Sequence, residues 1–158
     1  MEIASLPLEV LLHVLSFLPP RDLLRCRATC RQWRDLAVLP ALWRHKTLEA
    51  VYESDYQLVA AALRLAPCLH KLVVGNTPTC WDSLGAFLPL TCCAVLELEL
   101  YFNLPDAVLV TAALGRQAAL GKLKHLSVST FDEVSESSVT RVRQLLEFIV
   151  HTRDKDMN

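Results

Sequence analysis

The side chains able to do chemistry are few and dispersed. Cysteines stand at Cys26, Cys30, Cys68, Cys80, Cys92 and Cys93, and histidines at His13, His45, His70, His125 and His151. Cys26 and Cys30 are one helical turn apart and with His45 would supply three zinc ligands, but the paired C-x-x-C spacing of common structural sites is missing. No metal is expected. The vicinal pair Cys92-Cys93 lies in an apolar run with no histidine or cation close in sequence. A thiol becomes nucleophilic only where its thiolate is stabilised, so both are read as buried and inert. Glu9 and His13 share one helical face and are expected to point to solvent; His45 is isolated, and His70 and His125 read as outward strand positions beside inward leucines. There is no Gly-rich phosphate loop, no G-x-S-x-G and no H-E-x-x-H. A non-catalytic protein without cofactor or metal is the expectation.

What remains is apolar surface. Residues 6–43 read LPLEVLLHVLSFLPPRDLLRCRATCRQWRDLAVLPALW. A residue before proline is pushed out of the helical region and proline fits the first helical position, so Leu6 is expected as the cap and Pro7 as the helix start, with Glu9 in the first turn. Polar side chains on this helix are confined to Glu9, His13 and Ser16, one narrow stripe. Pro7, Leu11, Val14 and Leu18 make one apolar face, Leu8, Leu12 and Leu15 a second, with Val10 and Phe17 flanking. A surface helix of a self-contained domain carries a single apolar stripe about 100° wide, so this one calls for cover on two sides. Pro19-Pro20 leads into a second helix, Arg21 to about Ala28, with Leu23 and Leu24 as its apolar pair. Thr29 with Gln32 has the form of a capping box for a third helix through Trp33 and Leu36, which Pro40 stops, and Leu42 and Trp43 follow. Such a unit of about 40 residues is near the lower limit of independent stability. Surplus grease on it points to a binding face for another protein.

The segment resembles an F-box. Its landmarks are Leu6-Pro7, Leu11 to Leu18, Pro19-Pro20, Asp22-Leu23-Leu24, Cys30 with Trp33, and Leu42-Trp43. The resemblance implies binding to the adaptor Skp1 and, through it, to the cullin scaffold of a ubiquitin ligase. The residues it assigns to Skp1 are Leu6, Pro7, Leu11, Val14, Leu15, Leu18, Pro20, Leu23, Leu24, Cys30, Trp33, Leu42 and Trp43. An ordinary three-helix subdomain packed on the rest of the chain is the alternative.

With 158 residues, 53% of them hydrophobic and 21% charged, the chain suits one compact domain or a small module plus a modest one. The formal net charge of −1 gives no general pull toward nucleic acid or membrane. Charge is uneven, however: Arg21, Arg25, Arg27, Arg31, Arg34, Arg44 and Lys46 face only Asp22 and Asp35 in the same stretch. A DNA-binding helix-turn-helix is the sharper reading of that cluster; a solvated face, or a basic rim that attracts an acidic partner, is the commoner one. No membrane span and no secretory signal are visible, since the uncharged run Ser83 to Leu96 is short and holds Pro89. A cytoplasmic or nuclear location with reduced cysteines is expected.

From about Asp55 a second pattern sets in. Leu58, Ala61, Ala62 and Leu65 have helical spacing and are followed by Leu69-x-x-Leu72-x-Val74; Leu84, Phe87 and Leu88, with Asp82 or Ser83 as cap, by Val95-x-x-Leu98-x-Leu100; Val110, Ala113 and Leu114, with Asp106 as cap and Gly115 as end, by Leu123-x-x-Leu126-x-Val128. The period of about 26 to 28 residues resembles leucine-rich repeats, in which inward leucines of neighbouring units stack into one core. Of the three units only the second keeps an asparagine, Asn103, at the expected place. Arg44 to Ser54 lacks Gly and Pro and reads as helix or close turn, a stiff joint. The last stretch has Val139, Val142, Leu145, Leu146 and Ile149 at helical spacing, suited to capping a repeat stack.

The expected architecture is therefore α/β: an F-box over 1–46, a leucine-rich-repeat-like region of about three repeats over 47–131, and a C-terminal capping helix and tail over 132–158. The resemblance implies a substrate-recognition subunit of an SCF (Skp1-cullin-F-box) ubiquitin ligase, with no nucleic-acid or membrane partner. The repeats would present Lys71, Val73, Glu97, Glu99, Lys124, His125 and Ser127 to a target protein, which a separate enzyme modifies. The alternative is a scaffold, or a short form of a longer receptor, that binds Skp1 without delivering cargo.

Overall fold

Prolines set the helix starts of the N-terminal unit. In the computed structural model, which describes residues 6–75 and 79–130, Pro7, Pro20 and Pro40 each sit at or just before a first turn. The helices are α1 (Leu8–Ser16), α2 (Pro20–Cys26), α3 (Arg31–Leu36) and α4 (Pro40–Trp43). Pro7, not Leu6, is the cap: its ψ of 147° is extended and its carbonyl accepts the Leu11 N–H at 3.1 Å. The expected capping box at Thr29 is absent, because the Thr29 hydroxyl donates backward to the Cys26 carbonyl at 2.8 Å and leaves Cys30 as an uncapped N-cap. α3 already ends at Leu36, short of Pro40, which instead opens α4, consistent with its fit at a first helical position. Residues 1–5, 76–78 and 131–158 lie outside the described residues, and with them the expected capping segment from Val139 to Ile149.

The rest of the described residues form a four-stranded, wholly parallel sheet in sequential order: β1 (Thr47–Glu49), β2 (Cys68–Val74), β3 (Ala94–Phe102) and β4 (His125–Thr130). Helices α5 (Glu53–Leu65), α6 (Cys80–Leu84) and α7 (Ala107–Leu120) lie in the crossovers. β1 replaces the expected helix or turn. Its single inward residue, Leu48, pairs with Leu72 in register, too short a signal to show periodicity. The positions Thr47, Lys71, Glu97 and His125 align across the sheet, so successive crossovers take 24, 26 and 28 residues. In β2 and β3 the inward residues follow the L-x-x-L-x-L spacing: Leu69, Leu72 and Val74, then Val95, Leu98 and Leu100, are all buried.

Three helices differ in detail from expectation. α5 starts at Glu53, where the Asp55 carboxylate accepts the Tyr52 N–H at 3.0 Å; this phase buries Tyr56, Val59, Ala62 and Leu63 and leaves Leu65 exposed. α6 is capped at Thr79 rather than at Asp82 or Ser83. α7 has Asp106 at its N-cap without a side-chain cap bond, and it runs past Gly115 to Gly121, whose φ of 68° supplies the left-handed stop. Gly75 is constrained more severely: at φ 93°, a Cβ would fall 1.7 Å from the Tyr101 carbonyl oxygen, which already accepts the Trp81 indole N–H at 2.7 Å. Gln117 is buried but fully engaged, donating to the Cys93 carbonyl and accepting the Val95 N–H, both at 3.0 Å.

One hydrophobic core runs through both parts. Leu11, Leu15, Leu23, Leu42 and Trp43 from the helices belong to the same cluster as Leu48, Tyr56, Leu72 and Leu98 from the sheet side. Trp43 is fully buried and its indole N–H donates to the Ala37 carbonyl at 2.7 Å. α2 packs on α5, and α4 packs on β2. Lys46 fastens the junction: its ammonium donates to the carbonyls of Ser16 at 2.9 Å and Leu18 at 2.7 Å, completing the end of α1, while its own carbonyl accepts the His70 N–H at 2.9 Å. Replacing Lys46 by methionine keeps the stem and deletes both charge-assisted bonds. The expected loss is about 1 to 2 kcal/mol, read as a lower urea midpoint at unchanged slope; an unchanged midpoint would exclude this fastening role.

Burial holds the Cys93 thiol protonated, pushing its pKa from 9.0 to about 12. Above 9 the unfolded chain loses this proton while the folded chain keeps it. The stabilisation is therefore complete below pH 9 and lost as pH rises toward 12. Urea melts of Cys93→Ala should fall less steeply between pH 9 and 11 than those of the wild type, whereas parallel profiles would show that Cys93 does not carry the dependence.

Candidate docking surface

Among the described residues, α1 is covered on one side only. Leu11 and Leu15, four residues apart, point into the core, with Leu12 and Leu18 half-buried beside them. Pro7, Val10, Val14 and Phe17 follow one another at intervals of three and four, which places them along a single edge of the helix. Val10 is 42% exposed, Val14 49% and Phe17 74%, and Leu8 on the opposite edge is 49% exposed. His13 packs its ring edge-on against Phe17 with centroids 4.9 Å apart, which holds the phenyl ring at the end of the strip. Nothing among the described residues covers this face, and an exposed apolar patch of this kind marks an interaction site.

The residues expected at the Skp1 contact divide accordingly. Leu11, Leu15, Leu23, Leu42 and Trp43 are core residues, because a unit this small needs them to close its own interior. Pro7, Val14 and Cys30 are exposed, and Leu6, Leu18, Pro20, Leu24 and Trp33 are half-buried. Leu8, Val10 and Phe17 belong to the exposed apolar surface although they were not among the expected contacts. Their helical phase was visible, but the phase alone does not say which apolar face turns inward.

A second surface is the outer face of the sheet. Lys71 bridges from β2 to Glu99 on β3 at 2.7 Å, and the hydrogen bond to that carboxylate raises the Lys71 pKa. His70 Nε2 lies 3.7 Å from Glu97 Oε1. Lys124, His125 and Ser127 are exposed and, with Glu97 and Glu99, line a shallow depression of about 330 Å³ between β3 and β4. Val73 does not belong to this set: only 8% exposed, it sits in register between the longer side chains of Glu49 and Glu99.

The cysteines do not assemble into a site. Among the described residues no three His, Cys, Asp or Glu side chains come together as a metal cluster. Cys26, Cys80 and Cys93 are buried, and burial raises the pKa of Cys26, Cys68, Cys80 and Cys93. Cys92 differs from the expectation of burial: it is exposed, and Arg116 Nη2 from α7 comes within 3.6 Å of its sulfur. That cation is 24 residues away in sequence and only the fold brings it near. No helix among the described residues is long and apolar enough to cross a membrane.

Comparison with known proteins bears on the N-terminal helices. The F-box-like family model matches residues 3–49, the span of α1 to α4 and β1. Rat F-box only protein 17 is 57% identical over 44 residues, 27% of this chain and 18% of that protein. Mouse F-box only protein 27 is 36% identical over 91 residues, 57% of this chain and 31% of that protein. Frog (Xenopus laevis) F-box/LRR-repeat protein 5 is 46% identical over 43 residues, 27% of this chain and 6% of that protein; a match of that length is no longer than the F-box-like segment itself. The chain thus spans less than a third of each of these relatives. Residues 3–49, with the half-covered helix α1, are an F-box-like domain at the N-terminus of this chain.

Proposed function

We propose that this chain is a substrate-recognition subunit of an SCF-type ubiquitin ligase, docking on Skp1 through the F-box-like domain and holding a target protein on its sheet. The observation that carries the reading is the exposed strip Pro7, Val10, Val14 and Phe17 on α1, an apolar face that none of the described residues covers, inside a segment that matches the F-box-like family. The core residues Leu11, Leu15, Leu23, Leu42 and Trp43 then act by shaping this platform, and Leu6, Leu18, Pro20, Leu24, Cys30 and Trp33 extend it.

The sheet region reads as a short leucine-rich-repeat array. Its support is the parallel stacking at intervals of 24, 26 and 28 residues and the inward L-x-x-L-x-L residues of β2 and β3. Target contacts are assigned to Lys71, Glu97, Glu99, Lys124, His125 and Ser127. Chemistry on the target is done elsewhere: the cullin scaffold brings the conjugating enzyme, and this chain raises the local concentration of acceptor lysines near it. The continuous core and the Lys46 junction suit that task, since a fixed distance between adaptor and cargo needs a stiff connection.

The test uses side chains that the fold does not need. Val14→Asp combined with Phe17→Asp should abolish co-purification with Skp1, a loss of at least about tenfold in affinity. The thermal midpoint should stay close to that of the wild type, as expected for exposed positions. Unchanged recovery of Skp1 by the folded variant would refute the docking face.

A further inference from the structure

We propose that the arginines of α2 and α3 form a charged border to this docking surface, and that the protein covering α1 lays an acidic segment along them. The inference rests on the docking reading above and adds the chemistry of the partner. Arg21 follows Phe17 by four residues across Pro19-Pro20, so the basic edge begins where the apolar strip ends. Arg21 and Arg25, four apart, share one exposed side of α2, and Arg31 and Arg34, three apart, share one exposed side of α3. The two sets are tied together: Arg34 Nε donates to the Arg27 carbonyl at 3.2 Å, which brings α3 over the end of α2, next to an Arg27 whose own Nε is buried without an acceptor.

Among the described residues little neutralises this edge. Asp22 and Asp35 are the acids between residues 20 and 46; Asp22 is engaged by Arg25 at 3.2 Å, the one ion pair in this stretch among the described residues. Lys46 is turned inward onto the carbonyls of Ser16 and Leu18. The chain as a whole carries −1, so the cationic edge is a local feature that orients an approaching partner rather than a general affinity for anions. A nucleic acid would satisfy the guanidinium groups but offers nothing to the apolar strip that ends at Phe17, four residues before Arg21. An acidic protein surface with an apolar centre fits both.

The test measures association and dissociation rates of the purified full chain with purified Skp1 at varied salt. The wild-type association rate should fall by about tenfold between about 0.05 and 0.5 M sodium chloride, as the screening length shortens. Arg31→Gln with Arg34→Gln, and separately Arg21→Gln with Arg25→Gln, should slow association severalfold at low salt and flatten the salt dependence. Dissociation rates should stay near wild type, as should the thermal midpoint of the Arg21/Arg25 variant, whereas loss of the Arg34 bond to the Arg27 carbonyl should lower the midpoint of the Arg31/Arg34 variant slightly. Wild-type binding with a salt-independent association rate, or arginine variants that keep the wild-type salt slope, would overturn the border while leaving the apolar docking face intact. No wild-type binding at all would overturn the docking reading itself. Tight binding of a short DNA duplex, lost in the same variants that keep normal Skp1 kinetics, would reassign the arginines to phosphate and likewise overturn the proposal.

Discussion

Two small parts of this chain share one interior, and most of what the molecule shows its surroundings follows from that. A bundle of four short helices over some 40 residues has too little volume to bury its own apolar groups. Leu42 and the fully buried Trp43 therefore continue into the layer formed by Leu48, Tyr56 and Leu72. Once Leu11 and Leu15 are committed to that interior, nothing in the described chain lies on the far edge of α1. Val10, Val14 and Phe17 face water as a geometric result of where the inner residues had to go.

The same shared interior fixes direction. Lys46 reaches back to the last carbonyls of α1 while its own carbonyl receives an amide from β2. A side chain and a main-chain group of one residue thus bind the helical end to the sheet. The outer face of the sheet is consequently held at a set angle and distance from the apolar strip. On that face Lys71 is already paired with Glu99 at 2.7 Å, so any ligand that engaged Glu99 would exchange one ion pair for another.

Much of this was legible in the residues, and the misses have physical causes. Prolines and the long apolar helix announced α1 to α3, and the repeated leucines announced β2, β3 and β4; α4 was missed, since Pro40 was read only as a stop with Leu42 and Trp43 beyond it. β1 was hidden because a three-residue strand with one inward leucine has no period to detect. The phase of α5 was misjudged because Leu58 and Leu65 looked like the inner face, whereas the start set by Tyr52 and Asp55 turned Tyr56 and Val59 inward. The exposed face of α1 was half legible: two apolar faces could be read, but which one the chain covers depends on tertiary packing. Leu11 and Leu15 could not be told from Val14 and Phe17 by composition. Val73 and Cys92 were misplaced for a related reason, since one is enclosed by neighbours across the sheet and the other is exposed beside an arginine from a distant helix.

The parallel stack leaves its polar backbone groups paired by long-range partners, such as Gln117 serving Cys93 and Val95, so the sheet and helices should not come apart piecemeal. Native-state hydrogen exchange across a series of low denaturant concentrations tests this most directly. With one shared interior, the slowest amides of α1 and α2, at Leu15 and Leu23, and those of the sheet, at Leu72 and Leu98, converge on a single opening free energy. If the helical amides instead exchanged through a separate opening of lower free energy while the sheet stayed protected, the two parts would be independent, and a docking strip held at a fixed distance from the sheet would be contradicted.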